Sequence, residues 1–506
     1  MNISKIKINT INKARLITVV SIILGILFDY FFYNQSIGIN FTIYLLLLIL
    51  VFIGISTLLK NHIHTDVLFL LLALLFFSIM TFVRTSPLLT VLNIGICLFL
   101  LLILAKISFK EELKDFYLKD YIKIPFVALS FIPPLFQTLP LLYSSNKKKK
   151  NNRLLSQILK GLAISIPILF VFVLLFSSAD LIFQRYVSDL ITVNIELETI
   201  IRIILIFVVS LILIGAYSYT FSKSKKKSVV QDIPNKYSLG NVEASVVLGL
   251  VNILFFLFIL IQFTYFFGGE SNISSQGFTY AQYARQGFFE LITVGILCLF
   301  LLLAIEKFIV RKNRVHSVEF KVLSSMLIAQ VGVIMASAFM RLSLYEETYG
   351  FTTLRLYSHV FIVFLAVIFC LLVYKICRDK KENSFLLQVF VCVLLFLAGM
   401  NFLNPDSFIA KQNIQRFTDS GKLDVYYLSH LSDDAIPEVA ELLDILEDED
   451  MKNILGRELY WRQYEEDSMG WQSFNISRAR AKKILDPIML EMYKDYEGEE
   501  LKEEGL

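Results

Sequence analysis

Twelve apolar runs of 18 to 25 residues fall within the first 403 positions of this 506-residue chain, at 15–33, 37–59, 66–83, 86–105, 124–143, 161–178, 199–219, 243–267, 287–305, 322–340, 357–374 and 384–402. A helix rises about 1.5 Å per residue, so roughly 20 apolar residues cover a hydrocarbon layer about 30 Å thick. No water reaches backbone N–H and C=O groups at that depth, and helices satisfy both internally. Composition agrees: 56% of residues are apolar, 18% are charged, and 45 Phe stand against 2 Trp. Those figures exclude a soluble enzyme, a disordered chain and a secreted disulfide scaffold. The expected fold is all-α, a polytopic transmembrane helix bundle.

The net charge of +4 conceals two opposed parts. Residues 404–506 hold 24 acidic and 12 basic side chains, whereas residues 1–403 hold 20 acidic and 36 basic ones. The chain therefore divides into a transmembrane helical domain, 1–403, and an acidic soluble helical domain, 404–506. Within the tail, helices are expected at 405–419, 435–446, 449–466 and 475–493. Asp433 or Asp434 is the expected N-cap of the second, and Tyr426, Tyr427 and the stretch from Trp461 to Phe474 the expected core. Asn475 begins a glycosylation tripeptide, which we read as chance.

Lys and Arg set the orientation, because cytoplasmic loops retain positive charge. Thirty of them lie at the N-terminus and in alternate loops, including Lys147, Lys148, Lys149 and Lys150, while the remaining loops carry six: Arg84, Arg185, Arg202, Arg285, Arg341 and Arg355. The run at 124–143 breaks this pattern, since a full crossing would strand the Lys tetrad outside. It also contains Pro133, Pro134 and Pro140, which remove amide donors. It is read as a re-entrant or interfacial element on the cytoplasmic side. About eleven crossings remain, with the N-terminus cytoplasmic, the tail extracytoplasmic and the chain multi-pass in a cell membrane.

Unusual polarity gathers in three segments on the tail's side. The first, 277–290, contains Tyr280, Tyr283, Arg285 and Glu290. The second, 341–355, packs Arg341, Tyr345, Glu346, Glu347, Tyr349 and Arg355 around Gly350. The third, 404–416, opens the tail. Arg285, Glu290, Arg341, Tyr345, Glu346, Tyr349 and Arg355 form the candidate ligand site, because a guanidinium fork suits an anionic or zwitterionic ligand. The same residues also suit an interfacial belt that anchors helix ends, and the acidic tail could dock on Arg285, Arg341 and Arg355. Asp29, Asn93, Asn252, Gln262, Gln330 and His359 are further polar groups in or beside apolar runs; the amides suit helix-to-helix hydrogen bonds.

His62 and His64 lack a third ligand, the five Cys form no CxxC pair, and no nucleotide-, metal- or acyl-transfer motif occurs. No catalytic residue, metal or cofactor is expected. The partners expected are the lipid bilayer and a cell-envelope protein or small ligand, not nucleic acid.

Five stretches occur together: TYAQYARQGFFEL (279–291), YGFTTLR (349–355), NPDSFIAKQNIQR (404–416), GKLDVYYLSHLSDDAIP (421–437) and WQSFNISRARA (471–481). In this combination the chain resembles a bacterial polytopic membrane family known as domain of unknown function 4173, with its relative 4153. The resemblance implies an integral membrane protein and carries no activity. Three classes stay open, in this order: a transporter or channel-like protein, a sensory, regulatory or assembly protein whose tail binds an envelope partner, and a membrane enzyme acting on a lipid-linked substrate.

Overall fold

A computed structural model describes residues 3–59, 64–107, 112–142, scattered positions between 161 and 183, and then 197–222, 239–266, 288–309, 316–466 and 470–488. Helices dominate, and among the described residues the one β-type contact is an isolated bridge between Leu239 and Ile309. The helices are α1 (Ile3–Phe32), α2 (Ile39–Leu58), α3 (Thr65–Val83), α4 (Pro87–Ile107), α5 (Leu118–Ile122), α6 (Ile132–Leu142), α7 (Leu197–Thr220), α8 (Asn241–Phe266), α9 (Phe288–Phe308), α10 (Val318–Tyr349), α11 (Thr353–Cys377) and α12 (Glu382–Leu403). The tail adds α13 (Pro405–Ser420), α14 (Val425–Ser429), α15 (Ile436–Ile445), α16 (Glu449–Glu466) and a last helix, α17, at 476–488.

Among the described residues ten helices are long and apolar enough to cross a bilayer: α1 to α4 and α7 to α12. They coincide with ten of the twelve apolar runs, and the chain is a polytopic helical membrane protein. The run at 161–178 lies mostly outside the described residues. The run at 124–143 is broken, as its prolines predict: Pro125–Phe131 is a 3-10 turn, followed by the short helix α6. Its apolar helical stretch, Pro125–Leu139, is about 26 Å long and falls short of a hydrocarbon layer about 30 Å thick. This element packs beside the ends of α1 and α7, where the Thr138 hydroxyl meets the Ser218 hydroxyl at 2.8 Å.

The bundle has two apolar cores and two distinct ends. One core is built from α1 to α4 and α7; the other from α8 to α11. Helix α12 joins them, giving Phe390, Leu394 and Leu397 to the first core and Phe385 to the second. At the basic end, Lys106 reaches Asp120, and the turn at 113–115 borrows the Asp66 carboxylate for the Leu113 amide (3.0 Å). The tail caps the opposite end. Helix α10, at 32 residues, is about 48 Å long and therefore overreaches a bilayer's apolar layer. Gly350, at φ +83°, ends it and returns the chain into α11.

The tail has its own aliphatic core, including Ile409, Leu428, Val439, Leu442, Leu455 and Leu459, joined by Leu356 of α11. This corrects in part the aromatic core expected from sequence, of which Tyr427 packs against the aliphatic centre. Tyr426 and Trp471 are exposed, and the Trp471 ring lies against Tyr30 and Phe31 of α1 (6.4 and 6.1 Å between centroids). Large flat rings serve the seam between tail and bundle, while branched aliphatic side chains fill the small helical core. Helices α13, α15, α16 and α17 lie where periodicity predicts them. Asp433 and Asp434 do not cap α15: they form a 3-10 turn before it, and their carboxylates turn elsewhere.

Candidate functional site

The second polar segment folds into the last turns of α10 and the first of α11. Glu346 and His359 face each other across the hairpin, with the Glu346 Oε2 atom 2.9 Å from His359 Nδ1; Glu346 is 2% exposed. The other ring nitrogen, Nε2, lies 3.1 Å from the Phe339 carbonyl and 3.2 Å from the Ser343 hydroxyl. A carbonyl only accepts, so Nε2 carries a hydrogen. The second carboxylate oxygen, Glu346 Oε1, is buried without a hydrogen bond. Arg355 lays its guanidinium over the Tyr345 ring at 4.0 Å and donates to the Gly350 carbonyl. Tyr349 is half exposed and meets Tyr345 edge-on.

The hairpin thus brings together Tyr345, Glu346, Tyr349 and Arg355, and adds His359 as the partner of Glu346. Arg341 lies partly buried one turn before Tyr345. Glu290 is exposed in the first turn of α9, with no described contact to this group. Arg285 lies outside the described residues.

The tail is fastened to this hairpin by hydrogen bonds to its backbone, two of them from a guanidinium. Asn413 of α13 grips the Phe351 backbone with both amide atoms (2.7 and 2.8 Å), Tyr427 takes the Thr353 amide (2.8 Å), and Arg416 donates to the Glu347 and Thr348 carbonyls (2.9 and 2.6 Å). The tail's acidic residues go to a different arginine from those expected. Asp434, whose side chain is fully buried, accepts the amides of Thr85 and Ser86 (2.8 and 3.1 Å) in the α3–α4 turn and lies 3.6 Å from Arg84. Asp433 pairs with Arg462 and Arg478 inside the tail. Burial raises both Asp433 and Asp406 above the ordinary carboxylate range, and the neighbouring Asp434 charge adds to it. Asn475 is buried and donates to the Thr81 and Arg84 carbonyls, so its tripeptide is structural.

Asn93, Asn252 and Gln330 behave as the sequence suggests. Asn93 and Asn401 pair with each other, and Asn252 and Gln330 bridge α8 to α10. Asp29 is held by Arg202 at 2.8 Å across α1 and α7.

Sequence reasoning missed a second charged group, at the basic end. Lys375 of α11 and Glu306 of α9, 2% and 3% exposed, form an ion pair of 2.7 Å. His316, whose side chain is fully buried, stands between Glu306 and Asp379, and Asp379 also holds Lys321. The signal lay just beyond the ends drawn for two apolar runs, 305 and 374. Both runs stop one residue before the buried charge. Between the two charged groups an open apolar groove of about 710 Å³ runs along α10 and α11, past Gly332, Met335, Phe339, Val363 and Cys370. Among the described residues no cluster of His, Cys, Asp and Glu could hold a metal ion.

Comparison with curated proteins finds no match, and comparison with solved structures finds none either. One family model matches, Domain of unknown function (DUF4153), over residues 71–442. The matched span runs from within α3 into α15 and takes in the Glu346–His359 hairpin, the Glu306–Lys375 group and both halves of the Arg84–Asp434 contact. With most of its length inside that match, this chain belongs to the DUF4153 family of proteins, and it does so as a helical membrane protein.

Proposed function

We propose that this protein is a transporter or channel-like protein of a bacterial cell membrane, with a polar site for an anionic or zwitterionic solute at its extracytoplasmic face. The observation that carries this reading is the burial of ionisable groups near both ends of α11. His359 of α11 meets Glu346 of α10 near one end, and Lys375 of α11 meets Glu306 of α9 near the other. Ionisable groups inside a span are costly and cluster on solute and ion paths, and an anchor needs none. At the tail end Tyr345, Tyr349 and Arg355 supply ring faces and a guanidinium fork, with Arg341 one turn before Tyr345 on α10; Arg285 and Glu290 are added from the sequence alone. The positive-charge bias places this end outside and the N-terminus in the cytoplasm. The tail motifs at 404–437 and 471–481 support the finer kinship with DUF4173.

The test is flux in proteoliposomes with labelled phosphate, glutamate and glycine betaine. Saturable uptake of one of these, reduced tenfold or more by Arg355→Gln and by Glu346→Gln at unchanged thermal stability, is expected. Uptake no greater than in protein-free vesicles for all three overturns the carrier reading.

A second reading, an envelope assembly protein, is supported by the fixed seating of the tail through Asp434, Asn413 and Tyr427. Under it, deletion of 404–506 abolishes function while Arg355→Gln leaves it intact. The enzyme reading has less support. Ser343, His359 and Glu346 follow the order of a nucleophile relay, yet the hydrogen on Nε2 that the Phe339 carbonyl requires prevents that atom from acting as base.

A further inference from the structure

We propose that His316 is a proton-binding site at the basic end of the bundle, where an added proton on Nε2 is held against Glu306 while Nδ1 stays on Asp379. The inference holds whatever solute the protein handles.

His316 precedes Ser317, the N-cap of α10, in the link from α9. Its backbone amide and its Nδ1 atom both approach Asp379 Oδ1, at 3.0 and 2.8 Å. Burial alone would raise Asp379, but the His316 amide, the Lys321 ammonium and the His316 ring together bring it down to about 2. The carboxylate is therefore ionised and only accepts, so Nδ1 carries a hydrogen. Asp379 is fixed in place by these bonds in the α11–α12 turn, at φ +49°.

A neutral ring with its hydrogen on Nδ1 has a bare lone pair at Nε2. That atom is buried, has no hydrogen bond, and faces Glu306 Oε1 at 3.6 Å. Two acceptors thus confront each other in a pocket closed to water, which is costly. One proton removes the conflict, because an imidazolium donates from both nitrogens. The charges around the ring suit this. Glu306 from α9 is balanced by Lys375 from α11, and Asp379 from the α11–α12 turn by Lys321 from α10. The Phe320 ring stacks on the imidazole at 5.0 Å and favours a cation there. Asp379 and Lys321, 19% and 23% exposed, form the route to water. Contracting the Nε2–Glu306 gap to a charge-assisted bond of about 2.8 Å draws the end of α9 onto α10 and α11. The α9 end also carries the Leu239 amide on the Phe308 carbonyl (2.8 Å), so the link into α8 moves with it.

The test is magic-angle-spinning NMR of the full chain, labelled with 15N-histidine in lipid bilayers, between pH 5 and 8. The chain has five His, and subtraction of the His316→Gln spectrum identifies this one. The expected result is conversion of His316 from an Nδ1–H neutral ring to an imidazolium within this range. In Glu306→Gln/Lys375→Met, which removes both charges together, the midpoint is expected at least one pH unit lower, a tenfold weaker proton affinity. A ring that keeps one protonation state from pH 5 to 8 overturns the proposal, and so does an unchanged midpoint in the double variant. If the double variant does not fold, the wild-type titration alone decides.

Discussion

Asn93 and Asn401 exchange two hydrogen bonds, 2.8 and 2.9 Å, across 308 residues of chain, and neither side chain is exposed. The pair joins α4 to the tail end of α12 inside the bundle. Changing Asn93 alone to Leu leaves the Asn401 amide short of a partner, and a loss of about 1–3 kcal/mol is expected. Changing both to Leu removes the polar burden as well and is expected to recover most of that loss. Thermal unfolding of wild type, Asn93→Leu, Asn401→Leu and the double variant in one detergent gives the coupling energy. Additive losses would mean that the amides do not act as a pair.

Asp434 fixes the tail by accepting two backbone amides and facing Arg84. Asp434→Ala orphans those donors in a buried site and is expected to destabilise the tail by about 3 kcal/mol. Arg84→Ala, at a partly exposed side chain, costs about 1 kcal/mol. Both Trp residues belong to the tail, so intrinsic fluorescence during denaturation reads its release directly.

Gly350 turns the chain at φ +83°, and a Cβ there would stand 2.7 Å from Asn413 Oδ1. Gly350→Ala therefore strains the turn and pushes away the amide that holds Phe351, at an expected cost of about 1–3 kcal/mol. Proteolysis between α12 and α13 should quicken, while Gly54→Ala, where a Cβ meets nothing within 4 Å, is the matched control.

Acid affects the two ends in opposite directions. Asp379 is lowered from an ordinary 3.8 to about 2. Its contribution is complete above about pH 4 and disappears as pH falls through 3.8 toward 2, because the unfolded chain then binds the extra proton first. Asp406 is raised, mainly by burial, so its protonated form is favoured in the folded tail. Its contribution is complete below 3.8 and is lost as pH rises through its raised value. Asp406→Asn should accordingly raise the fluorescence-detected transition of the tail at pH 7 and change it little at pH 4. Asp379→Asn should weaken the chain at pH 7 and not at pH 2.

Helix positions were legible because a span is apolar on every face, and length alone identifies it. The break at 124–143 was legible from Pro133, Pro134 and Pro140 for the same local reason. Tail helices showed in the spacing of Ile436, Val439, Ala440 and Leu443. Pairings were not legible. Nothing local ties Asp434 to Thr85 and Ser86, so its contact with the α3–α4 turn was not foreseen. Lys375 reads as loop charge beside Arg378 and Lys380, and only packing distinguishes the buried one. His359 read only as a polar group beside an apolar run, and its partner, Glu346, lies across the turn at Gly350.

The α3–α4 turn has a further consequence for biosynthesis. Its amides at Thr85 and Ser86 emerge early, and the carboxylate that completes them is made 348 residues later than Ser86. Until then the turn must be satisfied by water at the bilayer surface, and the tail can find no finished seat elsewhere. The Asp434 contact therefore sets the order of assembly: the first hairpins insert unsealed, and the tail, translated later, closes them.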